Sequence, residues 1–164
     1  MTHLLEKAGT AMADIVVRPE SALASVTGTL YLLLFPIPVV CFLGALITDI
    51  AYSASAYLMW LHFSEWLIAV GLAFGALAAV VLLIEFFASR AIRAGSFGWS
   101  HLALFYAALV VELFNAFHHT IDGYTAVVPV GMVLSIVGAM LALAAVGVLF
   151  FVPVTWFRHR EAQP

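Results

Sequence analysis

The chain has 164 residues, 65% of them hydrophobic and 9% charged, with a formal net charge of −3. A water-soluble domain devotes about a quarter of its residues to charge, so this composition excludes a soluble globule and with it a soluble enzyme. No basic cluster offers an electrostatic footprint for nucleic acid. The single cysteine, Cys41, excludes internal disulfides and Cys-rich zinc or iron–sulfur sites held by this chain alone.

Residues 1–25 lack the basic start and compact apolar centre of a cleavable signal peptide and are expected to stay attached. Leu4, Leu5, Ala8, Met12, Ile15 and Val16 recur at helical spacing opposite Glu6, Lys7 and Asp14. That pattern predicts an amphipathic helix on the inner membrane surface, with contact to a partner subunit as the competing reading. Arg18-Pro19 ends it, because the residue before proline is pushed out of the helical region.

Four apolar stretches follow, at about 30–50, 65–88, 97–119 and 125–152, each near the roughly 20 residues that a spanning helix needs. None alternates with the period of a barrel strand, and backbone polar groups in lipid must be satisfied internally. The fold class is therefore all-α: an integral membrane four-helix bundle over residues 26–157, with a short tail at 158–164. Pro36 and Pro38 remove backbone donors and free the carbonyls of Leu32 and Leu34, which predicts a kink in the first helix. Gly71 with Gly75, and the stripe Ser135, Gly138, Ala142 and Ala145, let helix backbones approach closely.

Lys7 and Arg18 precede the first helix, Arg90 and Arg93 separate the second from the third, and Arg158 and Arg160 follow the fourth. Basic residues beside spanning segments are retained on the cytoplasmic side. Both termini are thus expected in the cytoplasm, with loops 48–64 and 120–124 outside.

The third helix carries the most informative pattern. With His101 as origin, Glu112, Asn115 and His119 fall at about +20°, −40° and 0° at 3.6 residues per turn, so all four share one face. Ionisable groups in spanning helices are costly and normally face the bundle interior, which makes this face a functional-site hypothesis. His118 is turned away from it. By depth, His62, Glu65, Asn115, His118, His119, Asp49, Asp122 and Tyr124 fall near the outer surface, and His101 and Tyr31 near the inner one.

Two histidines at matching depth on facing helices can ligate haem iron axially. His62 with His119 passes that depth test, and His101 with Tyr31 is the second choice for a b-type haem. Glu112 and Asn115 would orient ligands or relay protons; alternatively Glu112 is simply protonated and bonded to Asn115 or Ser135. A divalent metal held by His62, His119 and Asp122 or Glu65 is also chemically reasonable. The plain reading of a histidine at a helix end is an interfacial residue or a helix cap, and Trp60, Trp66, Trp99, Tyr124 and Trp156 read as aromatic belt.

Ile37–Tyr52, Trp60-Leu-His-Phe-Ser-Glu-Trp-Leu67, His101 and Asn115–Pro129 together resemble the bacterial membrane family catalogued as domain of unknown function 2231, over about residues 30–150. The resemblance implies a four-helix membrane domain, sometimes joined to Rieske-type iron–sulfur or c-type cytochrome domains and often found near dehydrogenases. The family's histidine at the start of its third helix matches His101, and its later Asn, His and Asp match Asn115, His119 and Asp122. Tyr31-Leu32 stands where the family has a His-Pro pair, and Ile121 where it has Arg. If the family's cofactor is held by the histidines that open helices one and three, this chain lacks one ligand, and His62 marks a different site at the outer face.

The reading that follows is an inner-membrane subunit of an electron-transfer complex, dehydrogenase- or quinone-linked, with haem b as the expected cofactor. Its expected partners are the lipid bilayer and a cytochrome c, iron–sulfur or dehydrogenase component, and self-association is a further expectation. The alternatives are a transporter or channel for protons, metal ions or a small solute, and a cofactor-free accessory subunit docking a periplasmic partner.

Overall fold

Pro36 interrupts the first span without ending it. In the computed structural model, α1 (Pro19–Leu34) and α2 (Pro36–Ser55) meet at Phe35, whose backbone is still helical and whose N–H reaches the Tyr31 carbonyl at 2.8 Å. The helices α3 (Leu58–Ala88), α4 (Ser96–His119) and α5 (Val130–Glu161) follow, with a single 3-10 turn at Tyr124–Ala126. The structure describes residues 19–88, 92, 95–121 and 123–161, and side chains within 26–150 of these. The expected amphipathic segment up to residue 18, and Lys7, Arg18, Arg90, Arg93 and Asp122, lie outside the described residues.

Among the described residues, four segments are long and apolar enough to cross a membrane: Val26–Ser55, Leu58–Ala88, Ser96–His119 and Tyr124–Phe150. In each, only 22–33% of an 18-residue apolar window is buried inside the protein. The outward residues include Leu33, Val40, Ile47, Leu77, Phe114, Phe117, Met140 and Phe150. Apolar surface on that scale needs an apolar surround, and lipid supplies it.

Several helix bounds differ from the expectation: helix already begins at Pro19 rather than near residue 30, and the last helix runs to Glu161 rather than to 152. The stretch 48–64 is helical except at Ala56 and Tyr57, so Thr48, Asp49 and Ser64 belong to spanning helices rather than to a loop. Ala56 makes the reversal in two residues by adopting a left-handed conformation (φ 53°), and its N–H closes on the Tyr52 carbonyl at 2.7 Å, an end that glycine usually supplies. At the last helix, Pro129 sits just before the first full turn, where its missing N–H removes no bond, and regular helix begins at Val130 rather than at 125.

Short connections make successive spans antiparallel. The helices close into a ring in which α2 packs on α3, α3 on α4, α4 on α5 and α5 back on α2, while α1 lies along α3. Small residues carry the tightest crossings: a side chain on Gly71 would strike the Phe42 ring, and one on Gly75 the Leu109 side chain. The middle of the ring is filled by Phe42, Ala78, Phe105, Ala108, Ala142 and their neighbours. A smaller apolar cluster, Tyr52, Leu61, Ala126 and Val127, closes the end where α2 and α4 finish and α3 and α5 begin.

Candidate functional site

Between the apolar middle and that closing cluster lies a polar network drawn from all four spans. Asp49 of α2 is fully buried and is its centre. Ser64 of α3 donates to Asp49 Oδ1 and Ser135 of α5 to Oδ2, both at 2.5 Å. His119 of α4 places Nε2 at 3.0 Å from Asp49 Oδ1. The other ring nitrogen, Nδ1, lies 3.0 Å from the Asn115 carbonyl, an acceptor only, so Nδ1 carries a hydrogen. The proton between His119 and Asp49 then sits on Nε2 or on Oδ1, and every other bond of the network is the same in both cases.

Asn115 extends the network inward. Its Nδ2 donates both hydrogens, one to Ser135 Oγ at 2.8 Å and one to Glu112 Oε2 at 3.0 Å. Thr48 extends it along α2 and α3, contacting Ser64 Oγ at 2.6 Å while donating to the Ala45 carbonyl at 2.9 Å. Glu112, Asn115, Ser64 and Ser135 are all fully buried, and His119 is 1% exposed. Two buried oxygens, Glu112 Oε1 and Asn115 Oδ1, have no hydrogen-bond partner.

Two glycines of α5 admit this network. A Cβ on Gly138 would overlap the Glu112 carboxyl, and one on Gly131 would fall 3.1 Å from His119 Cε1 and collide with the Ala126 carbonyl. The stripe that suggested only helix packing therefore makes room for the buried carboxyl.

The opposite end of the bundle holds the second polar site. Tyr31 donates its hydroxyl to His101 Nε2 at 2.5 Å, and His101 Nδ1 donates to the Ala145 carbonyl at 3.0 Å. Phe35 meets the imidazole edge-on at 5.3 Å, and Phe105 stacks with it at 6.4 Å. Eleven residues separate His101 from Glu112 on α4, or about 16 Å at 1.5 Å per residue, and Phe105 and Ala108 are buried between them. Tyr31→Phe should cost about 1 kcal/mol, the usual worth of one neutral hydrogen bond, and shift the His101 Nε2 resonance in a nitrogen-15 spectrum. An unmoved resonance would count against the bond.

The structure brings together His119, Asn115 and Glu112, and separately His101 and Tyr31, but it does not bring His62 to His119. The His62 side chain is 62% exposed and pairs with Glu65 on its own helix at 3.1 Å. His118 is half-buried, and its Nε2 has no partner. The arrangement does not fit axial haem ligation within the bundle: both nitrogens of His119 and both of His101 are engaged, and His62 faces outward. Among the described residues, no three His, Cys, Asp or Glu side chains are placed to hold a metal ion.

Sequence reasoning missed Ser64 and Thr48 and left Asp49 at a loop edge. The available signal was spacing: Ala45, Thr48, Asp49 and Tyr52 lie on one face of α2, as Leu61, Ser64 and Ile68 do on α3, and all are buried. Comparison with curated proteins and with solved structures found no match. The family model described as "Predicted membrane protein (DUF2231)" matches residues 29–150, and the chain, with its four membrane-length helices, belongs to that family.

Proposed function

We propose that this chain is a membrane subunit whose own chemistry is proton handling, through the buried relay Asp49–His119 and Ser135–Asn115–Glu112. The observation that carries this reading is the pair of unpartnered oxygens on Glu112 and Asn115. A network serving only to hold helices together would satisfy its acceptors, because an unpaired buried polar atom is expensive. Glu112 thus keeps a place open for a proton at the deep end of a hydrogen-bonded chain.

The apolar layer of Phe42, Phe105 and Ala108 separates this network from the Tyr31–His101 site. That separation favours uptake and release at one end of the bundle over conduction across it. With the termini placed in the cytoplasm by the basic residues, the network lies at the outer end, in the bacterial inner membrane. The partner in this reading is the dehydrogenase, iron–sulfur or cytochrome c component that the family resemblance implies, since quinone-linked electron transfer takes up and releases protons with its electrons.

Infrared difference spectroscopy of the purified protein across a pH series tests the relay. The expected result is a carboxylic-acid band that shifts in heavy water and disappears in Glu112→Gln. A spectrum with no titrating carboxyl over the range where the fold persists would reduce the network to a structural tie. An oxidised-minus-reduced visible spectrum of the same sample reads haem directly, and a Soret band lost in His119→Ala would restore the cytochrome reading.

A further inference from the structure

We infer that the tip of the α2–α3 hairpin is a docking surface for a water-soluble protein domain that presents an apolar face rimmed by basic side chains. The inference stands apart from the proton chemistry and holds whether or not Glu112 titrates.

The first ground is depth. Trp99 near the start of α4 packs on Phe86 near the end of α3, with ring centroids 4.7 Å apart, so the two share a level. Phe86 lies twenty residues beyond Trp66 on α3, and His119 lies twenty beyond Trp99 on α4. At 1.5 Å per residue both intervals come to about 30 Å, the thickness of a hydrocarbon core. The exposed rings of Trp66 and Trp99 therefore mark its two boundaries, as tryptophan does at membrane interfaces. Ser64 of α3 and His119 of α4 both reach Asp49, which places them at one level beside Trp66. From there α3 continues past the end of α4. Trp60 stands about 9 Å and Leu58 about 12 Å beyond Trp66, farther than the roughly 5–7 Å of a headgroup layer. Trp60 and Trp66, expected in one belt, thus lie at different depths.

The second ground is what this projecting tip exposes. Tyr57, Leu58, Met59, Trp60 and Phe63 are 38–62% exposed, and the Trp60 and Phe63 rings lie 6.0 Å apart. Tyr52 and Leu61 hold the other side of the tip against Ala126 and Val127. The exposed face is what that internal packing leaves uncovered, at a height that lipid tails do not reach. A contiguous apolar patch in water marks a protein contact, and tyrosine, tryptophan and methionine are enriched in such contacts.

The third ground is charge. No Lys or Arg occurs between residues 19 and 89 or between 94 and 157, whereas Glu65 and Asp122 fall at this end of the chain's spans. Segments that rest on a lipid surface use Lys and Arg to meet its anionic headgroups, and this tip has neither. A second copy of the chain would bring the same acidic groups to the contact. A partner with a basic rim complements them.

The test has two parts. In the protein reconstituted in a bilayer, nitroxide labels at Leu58→Cys and Leu77→Cys read depth by paramagnetic relaxation, the natural Cys41 being buried. The label at 58 should meet a water-soluble nickel chelate more than oxygen, and the label at 77 the reverse; an oxygen-dominated label at 58 places the tip in lipid and overturns the inference. In the native membrane, a photo-crosslinking residue replacing Leu58 should give one protein adduct of fixed mass that is absent when the same residue replaces Leu77. Its yield should fall about tenfold or more in Trp60→Ser, as for an aromatic anchor at a contact centre, and should fall as salt screens the rim charges. Adducts to lipid alone, an adduct of twice the chain's own mass, no adduct, or a yield indifferent to both changes would each overturn it.

Discussion

Asp49→Ala should cost the bundle about 3–5 kcal/mol, the range for breaking one side of a buried charged pair. The magnitude follows from what the substitution strands. Asp49 accepts from Ser64 and Ser135 and shares a proton with His119, so its loss leaves three buried polar groups from three helices facing a cavity. A neutral hydrogen bond between membrane helices is worth only about 0.6 kcal/mol on average, and Thr48→Ala should fall near that value. Reversible unfolding in detergent measures both. In a double-mutant cycle, Asp49→Ala with His119→Leu should cost less than the sum of the single changes, because the second removes a group stranded by the first. Additive costs, or an Asp49→Ala effect no larger than that of Thr48→Ala, would sink the account of Asp49 as the centre of the network.

Gly138→Ala carries the second large effect, about 1–3 kcal/mol, as expected when a methyl is forced into a filled interior. The added Cβ falls on the Glu112 carboxyl, which is tied through Oε2 to Asn115 and cannot swing aside without breaking that bond. The diagnostic is rescue. In a Glu112→Ala background the same substitution should be close to neutral, because the overlapping group is gone. If Gly138→Ala is equally costly in both backgrounds, Gly138 serves helix packing alone.

How much of this was legible in the sequence depended on the kind of signal. The four spans were readable from apolar length alone, and the α4 face was readable from periodicity: His101, Glu112, Asn115 and His119 are all buried, as a shared inward face requires. The α3 half of the site was not readable in the same way. His62 and Ser64 are two residues apart and so about 200° apart around the helix, which means that only one can face inward. His62 draws attention as a titratable group, yet Ser64 is the one fully buried. Nothing local distinguishes a serine that meets a carboxylate from one that ends a loop; only the arrival of Asp49 from another helix does. Gly138 poses the same difficulty, since a small residue looks identical whether it admits a neighbouring backbone or a neighbouring carboxyl.

The distribution of these bonds between helix pairs has a consequence for how the protein is made. The first hairpin, α2 with α3 across its two-residue turn, already contains Asp49–Ser64 and Thr48–Ser64. The second, α4 with α5, already contains Asn115–Ser135 and Asn115–Glu112. Each can therefore enter the bilayer with its own polar groups partly satisfied, which eases the cost of an unaccompanied carboxyl in lipid. Within the network, Asp49–His119 and Asp49–Ser135 join one hairpin to the other, and elsewhere Tyr106 of α4 donates to the Ala79 carbonyl of α3 at 2.8 Å. Biogenesis accordingly divides into two insertion units and one docking event, and Asp49, which belongs to the first unit, completes its coordination only once the last helix has been synthesised.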